Sequence, residues 1–227
     1  MRKIAFTLAE VLITLSIIGV VAAFTVPSLM VNYQNMSSYS ALKKQQSVLS
    51  NVYNLVIREH GHFDTWGLSS VANSKEITEV TDRFLPYLKY TKMCVNKSGC
   101  WASSKIKALN GKVTASWAQI GGIGDSYAVF QLEDGTILNL DTYDKNDMTN
   151  KMGVATQSNY TVAMYIDING NKGPNTLGRD VFVFTLTERG LLPAGTDKVS
   201  YCNPKNTSSI AGLDCAAKVL SERTISY

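Results

Sequence analysis

The chain has 227 residues, 45% hydrophobic and 18% charged, a composition that fits one globular domain with an added apolar segment and argues against disorder. Its 22 basic and 18 acidic residues leave a formal charge of +4, too small an excess to make nucleic acid a main partner. No Gly-x-Ser-x-Gly, glycine-rich phosphate loop or His-Glu-x-x-His is present, so no enzyme activity is expected.

From the N-terminus, Arg2 and Lys3 precede an apolar run that begins at Phe6 and lasts through Met30. Glu10 is the one charged residue between Lys3 and Lys43. As a helix this run covers roughly 37 Å, enough to cross a bilayer. A carboxylate costs ~3 kcal/mol at the centre of a membrane helix, so Glu10 must either lie at the headgroup level or find a partner.

Arg2-Lys3-Ile4-Ala5, then Phe6-Thr7-Leu8-Ala9-Glu10, then Ile17-Ile18-Gly19-Val20-Val21-Ala22-Ala23 resembles the class III signal of type IV prepilins and type II secretion pseudopilins. That family has a short basic leader, a Phe, a Glu four residues beyond it, and an Ile/Val/Gly/Ala-rich helix that meets a proline, here Pro27. Ala5 stands where the family has Gly before the cleaved bond, and it is small enough for the same peptidase site. The resemblance implies a leader of residues 1–5, removed by a membrane prepilin peptidase that cuts between Ala5 and Phe6 and methylates the Phe6 amine. It also implies a single-pass protein of the inner membrane, its head outside the cytoplasm, drawn by a membrane assembly platform into a filament in the periplasm or at the cell surface. The partners implied are copies of the chain, other pilin-like subunits and the lipid bilayer. Glu10 of one subunit would pair with the Phe6 ammonium of another, because opposite charges offset each other's desolvation. Residues 1–23 also read as an ordinary secretory signal with Val21-Ala22-Ala23 as its small-residue cleavage site. On that alternative the mature chain starts near Phe24 and is an exported soluble binding or adhesion domain with a calcium loop.

Beyond the membrane segment, residues 31–61 form an amphipathic continuation. Met36, Tyr39, Leu42, Leu49, Val52, Tyr53 and Val56 recur at three- and four-residue steps, and Lys43, Lys44, Gln46 and Asn54 take the other faces. A kink is expected near Pro27 and a C-terminal cap at Gly61. In the head, residues 62–227, a short helix is expected within 76–90, limited by Pro86, with Asp82, Phe84, Leu85 and Leu88 as core candidates. Strands are expected at 113–120, 126–133, 137–140, 161–168 and 180–186, with Glu133-Asp134-Gly135-Thr136 as a hairpin turn. The fold class is α+β: a long N-terminal helix packed on an antiparallel sheet of four or five strands, a pilin-like architecture.

Cys94, Cys100, Cys202 and Cys215 lack the spacing of a zinc site or redox dithiol, and an even count behind an export signal points to disulfides. Of the three possible pairings, the two local ones are favoured because short loops close readily. The Cys202–Cys215 segment resembles the disulfide-bounded C-terminal region of type IV pilins. Asp167, Asn169 and Asn171 alternate like the first ligands of a calcium loop, and Asp180 can close the shell, but Lys172 and Gly178 stand where an EF-hand needs Gly and Glu. Tight turns with side-chain caps explain the same residues. His60 and His62 flank the helix end and make no metal pattern. Lys43, Lys44, Lys105, Lys107 and Lys112 read as solvated faces, and Gly121-Gly122-Ile123-Gly124 as a turn.

Overall fold

In the computed structural model, which describes residues 7–71, 73–101, 105–115 and 128–227, the chain divides into two units, Met1–Ser37 and Ser38–Tyr227. Helix α1 (Leu8–His60) contributes to both. Within the first unit its apolar side chains are exposed on every side: Ile13, Leu15, Ile18, Phe24 and Leu29 all show more than half of their surface. Hydroxyls in this stretch bond back to their own helix, Thr14 Oγ1 to the Glu10 carbonyl (2.9 Å), Ser16 Oγ to Leu12 (2.8 Å) and Thr25 Oγ1 to Val21 (2.9 Å). Such bonds remove the polar groups that apolar surroundings would leave unsatisfied. Pro27 lies inside the helix and subtracts one N–H donor from it.

In the second unit α1 becomes one-sided. Leu42, Leu49, Val52, Tyr53 and Val56 are buried, as their spacing predicts, whereas Met36 is exposed and belongs to the first unit. Gln45 lies on the buried stripe as well. Its Nε2 donates to Asp134 Oδ2 (2.7 Å) and Thr136 Oγ1 (2.8 Å), and Lys44 Nζ reaches the same carboxylate oxygen at 2.6 Å. These bonds pin the helix to the turn that follows the second strand. The helix stops at Gly61, whose φ of +77° is the left-handed conformation that ends helices.

Helix α2 (Ser74–Phe84) starts at Asn73, whose side chain accepts from the backbone N–H of Lys75 and Glu76. Glu76 folds back to accept from the Ser69 N–H and hydroxyl. A 3-10 turn over Leu85–Tyr87 carries Pro86 and ends the helical segment. Phe84 and Leu88 enter the core and Leu85 packs against it, but Asp82, expected there, is exposed: it falls on the solvent side of a helix whose buried residues are Glu76, Ile77, Val80, Thr81 and Phe84.

Among the described residues six strands form one sheet in chain order, every neighbour antiparallel: β1 (Tyr90–Val95), β2 (Ala128–Leu132), β3 (Ile137–Asp144), β4 (Tyr160–Asp167), β5 (Val181–Thr187) and β6 (Gly190–Pro193). The hairpin around Gly135 and the strands before and after the Gly/Asn-rich loop stand where they are expected. The expected strand over 113–120 is not met in its described part: Val113 forms an isolated bridge with Lys107, and 114 and 115 lie outside the six strands. Residues 116–127, which hold the rest of it, the start of the expected strand at 126 and the Gly121–Gly124 turn, lie outside the described residues.

Both faces of the sheet are covered. Leu138, Leu140, Val162, Met164, Phe182 and Phe184 pack with the buried stripe of α1 and with α2. Ile137, Tyr165, Val181 and Val183 pack on the other face with Trp101, Ile106, Leu177 and Leu213. Strands β4 and β5 are therefore nearly continuous apolar runs and not alternating ones. Short helices α3 (Lys145–Asn150) and α4 (Ala216–Glu222) also belong to this unit.

The turn between β5 and β6 is stapled by Glu188. Its Oε1 accepts from Gln157 N (3.0 Å), Ser158 N (2.8 Å), Ser158 Oγ (2.9 Å) and Thr156 Oγ1 (3.0 Å). Burial pushes this carboxyl up, but the hydrogen bonds outweigh it and bring it down to about 2. A depressed carboxyl contributes stability that is complete above its ordinary value and is lost as pH falls through the folded one. Glu188→Gln should therefore cost ~1 kcal/mol in urea unfolding at pH 7, after allowance for solvent screening, and the difference should shrink as pH falls from the ordinary carboxylate range through about 2.

Candidate functional site

At the start of α1, Thr7 and Glu10 satisfy each other. Glu10 Oε2 accepts from the Thr7 N–H (2.9 Å) and the Thr7 hydroxyl (2.8 Å), and the Glu10 N–H points back to Thr7 Oγ1 at 3.3 Å. This is a capping box: N-cap Thr and third-position Glu exchange bonds and occupy donors that the helix cannot satisfy itself. Its signature, Thr7-x-x-Glu10 before an apolar run, is present in the sequence, but the reading of Glu10 as a charge in search of a partner passed over it. Both Thr7 groups engage Oε2, so Oε1 remains clear of the cap. Leu8, inside the box, and Leu12, just beyond it, are 78% and 57% exposed. Ala5 and Phe6, the expected processing site, lie outside the described residues.

The stretch after the cap is long and apolar enough to cross a membrane, and its apolar part is not covered by any of the described residues. Chemically the arrangement is an apolar rod with one acid at its tip. It can bury itself in lipid or among other apolar rods, and in either case the acid governs how far the tip can enter apolar surroundings.

The second candidate is the connection between β4 and β5. Asp167, at the end of β4, accepts through Oδ1 from Asn169 N (3.1 Å) and Gly170 N (3.0 Å). Asp180, just before β5, accepts from Asn175 N (2.8 Å), Thr176 N (2.5 Å) and Asn169 Nδ2 (3.1 Å). Asn169 thus links the two carboxylates, and its own Oδ1 is buried with no hydrogen-bond partner among the described residues. Both acids are almost fully buried. Burial, and then the charge of Asp180, pushes Asp167 up to about 8 against its backbone bonds, while burial also raises Asp180. Of the four expected ligands the fold brings together Asp167, Asn169 and Asp180, and it leaves Asn171 exposed. Among the described residues no group of three or more His, Cys, Asp or Glu is placed to hold a metal. Any cation here would therefore rely on amide and carbonyl oxygens beside the two carboxylates.

The cysteines form the two local disulfides, Cys94–Cys100 and Cys202–Cys215. His62 Nδ1 contacts Asp64 Oδ1 at 2.9 Å and His60 is exposed, consistent with solvated helix-end residues. Lys112 Nζ donates to the Thr207 carbonyl (3.0 Å), which gives it a structural partner within the head. No family model, curated protein or solved structure matches the chain.

Proposed function

We propose that the chain is a structural subunit of a type IV pilus or a type II secretion pseudopilus, made as a precursor, processed between Ala5 and Phe6 and assembled through the apolar part of α1. The observation that supports this most is α1 itself. An exposed apolar stretch, capped by a single acid, continues as the same helix into a stripe that packs on a sheet. Soluble proteins rarely expose apolar patches of this extent, so the stretch needs lipid or other subunits as its surroundings. In the filament the Glu10 carboxylate pairs with a neighbour's Phe6 ammonium and sets the axial register. The membrane platform and its cytoplasmic ATPase do the work, and no residue of this chain catalyses a reaction. N-terminal sequencing of the mature protein tests the reading: a methylated Phe6 is expected. A start near Phe24 would instead identify an exported soluble domain.

A calcium ion in the β4–β5 connection is a second proposal, favoured by the unpartnered Asn169 Oδ1 between two buried carboxylates. Asp167, Asp180 and Asn169 supply hard oxygen donors of the kind calcium takes, with Asn171 at the exposed edge of the loop. A bound divalent cation would neutralise the repulsion between the two acids and supply the missing partner.

A further inference from the structure

The β4–β5 connection has an exposed front, residues 171–174, and a buried rear, residues 175–178. Three segments hold the rear in place. Lys107 donates to the Asn175 carbonyl (2.9 Å) and accepts from Leu177 N (2.9 Å). Tyr227 OH donates to the Gly178 carbonyl, and Arg179 Nη2 donates to the Tyr227 carbonyl at 2.8 Å. The third segment is the Cys202–Cys215 corner. Gly178, at φ +78°, lies so close to it that a Cβ there would stand 2.9 Å from Cys215 Sγ, and a Cβ on Gly212 would stand 2.3 Å from the Leu177 carbonyl oxygen. Backbone therefore touches backbone and sulfur with no side chain between them. Leu213, Asp214 and Cys215 are fully buried behind this contact.

We propose that the Cys202–Cys215 disulfide is a redox latch for the β4–β5 connection: oxidised, it closes the loop around Asp167 and Asp180, and reduced, it lets the loop open. A dithiol reductant attacks the sulfur of Cys202, the less buried residue of the pair, at 6% exposure against 0% for Cys215. The S–S bond breaks, Cys215 leaves as a thiolate and takes a proton. The reductant's second thiol then closes its own disulfide and releases Cys202 as a thiol. Freed from its thirteen-residue link, the 202–215 segment no longer confines Leu177 and Gly178, and the amides of Asn175 and Thr176 lose the wall that keeps them against Asp180. Cys94–Cys100 joins β1 to the segment after it and lies outside this contact, so it provides the control.

Amide hydrogen exchange on the full chain in detergent micelles tests the latch, with dithiothreitol as the probe and with Cys202→Ser/Cys215→Ser beside Cys94→Ser/Cys100→Ser. The expected result is exchange at Asn175 and Thr176 faster by about tenfold or more on reduction and in the first double variant, with Met164 and Phe184 in the sheet unchanged. Trypsin cleavage after Lys172 should accelerate in parallel, and the second double variant should behave as the oxidised protein. Equal protection of Asn175 and Thr176 in both redox states would overturn the proposal. So would acceleration that includes Met164 and Phe184 to the same degree, since the disulfide would then support the whole head and not this loop.

Discussion

On the proposed assembly, replacing Glu10 with Ala should leave the chain in the membrane and the Ser38–Tyr227 unit folded, yet lower filament yield by at least about tenfold. The head is spared because its core draws on α1 from Tyr39 onward, far from the cap. Two contributions are lost at Glu10, and their sizes differ. The capping box with Thr7 contributes about 1 kcal/mol to the first turn of one subunit. The proposed pairing with a neighbour's ammonium would act at every contact along a filament, where an uncompensated partner charge left buried costs about 3–5 kcal/mol. Thr7→Val separates them: it removes the hydroxyl from the box, keeps the Thr7 position's N–H to Oε2, and retains the carboxylate. That variant should assemble to within about threefold of the unchanged chain. Glu10→Gln, which keeps the shape and loses the charge, should fail as Glu10→Ala does. Sheared filament mass and the melting of the head measure the two effects side by side. If Thr7→Val and Glu10→Gln reduce filament mass equally, the cap accounts for Glu10 and the pairing is refuted.

The parts of the fold that were legible in the sequence are those whose burial is one-sided or bounded by turn residues. Leu42, Leu49, Val52, Tyr53 and Val56 mark a helix because only one of its faces meets the sheet, and Asp134-Gly135 marks the hairpin between β2 and β3. Strand β1 left no such trace: Tyr90, Thr91 and Lys92 are all exposed at the sheet edge, so no alternation exists to be read. Strand β6 is four residues long and ends at Pro193, which suits an edge and reads as a loop. Gln45 lies on the helical stripe by spacing, but its amide reads as a surface group. Its burial depends on Asp134 and Thr136, some ninety positions away, and no local pattern reports such a partner. The candidate site divides in the same manner. Asp167, Asn169 and Asp180 could be grouped from the spacing of their oxygens. That Asn171 turns outward, and that the Cys202–Cys215 corner backs the same loop, follow only from how distant segments pack.

Asp167→Asn should stabilise the protein at pH 8 in the absence of divalent cations, by about 2 kcal/mol after structural relaxation and water penetration are allowed for. The unfolded chain releases the Asp167 proton near the ordinary 3.8, whereas the folded one holds it up to about 8. Across that window the folded state binds the extra proton, so stability falls as pH rises and the loss is complete above about 8. An amide cannot ionise, but its Oδ1 still accepts the N–H groups of Asn169 and Gly170, so the turn survives and the pH-dependent loss does not. Near pH 4 the two proteins should unfold together. Calcium should act on one chain and not the other: at pH 8 an excess should raise the thermal midpoint of the unchanged protein, whose paired carboxylates it would neutralise, and leave that of Asp167→Asn almost where it was. An unchanged midpoint in the native sequence removes the calcium proposal. The pH dependence stands or falls separately, because burial of Asp167 beside Asp180 is enough to produce it.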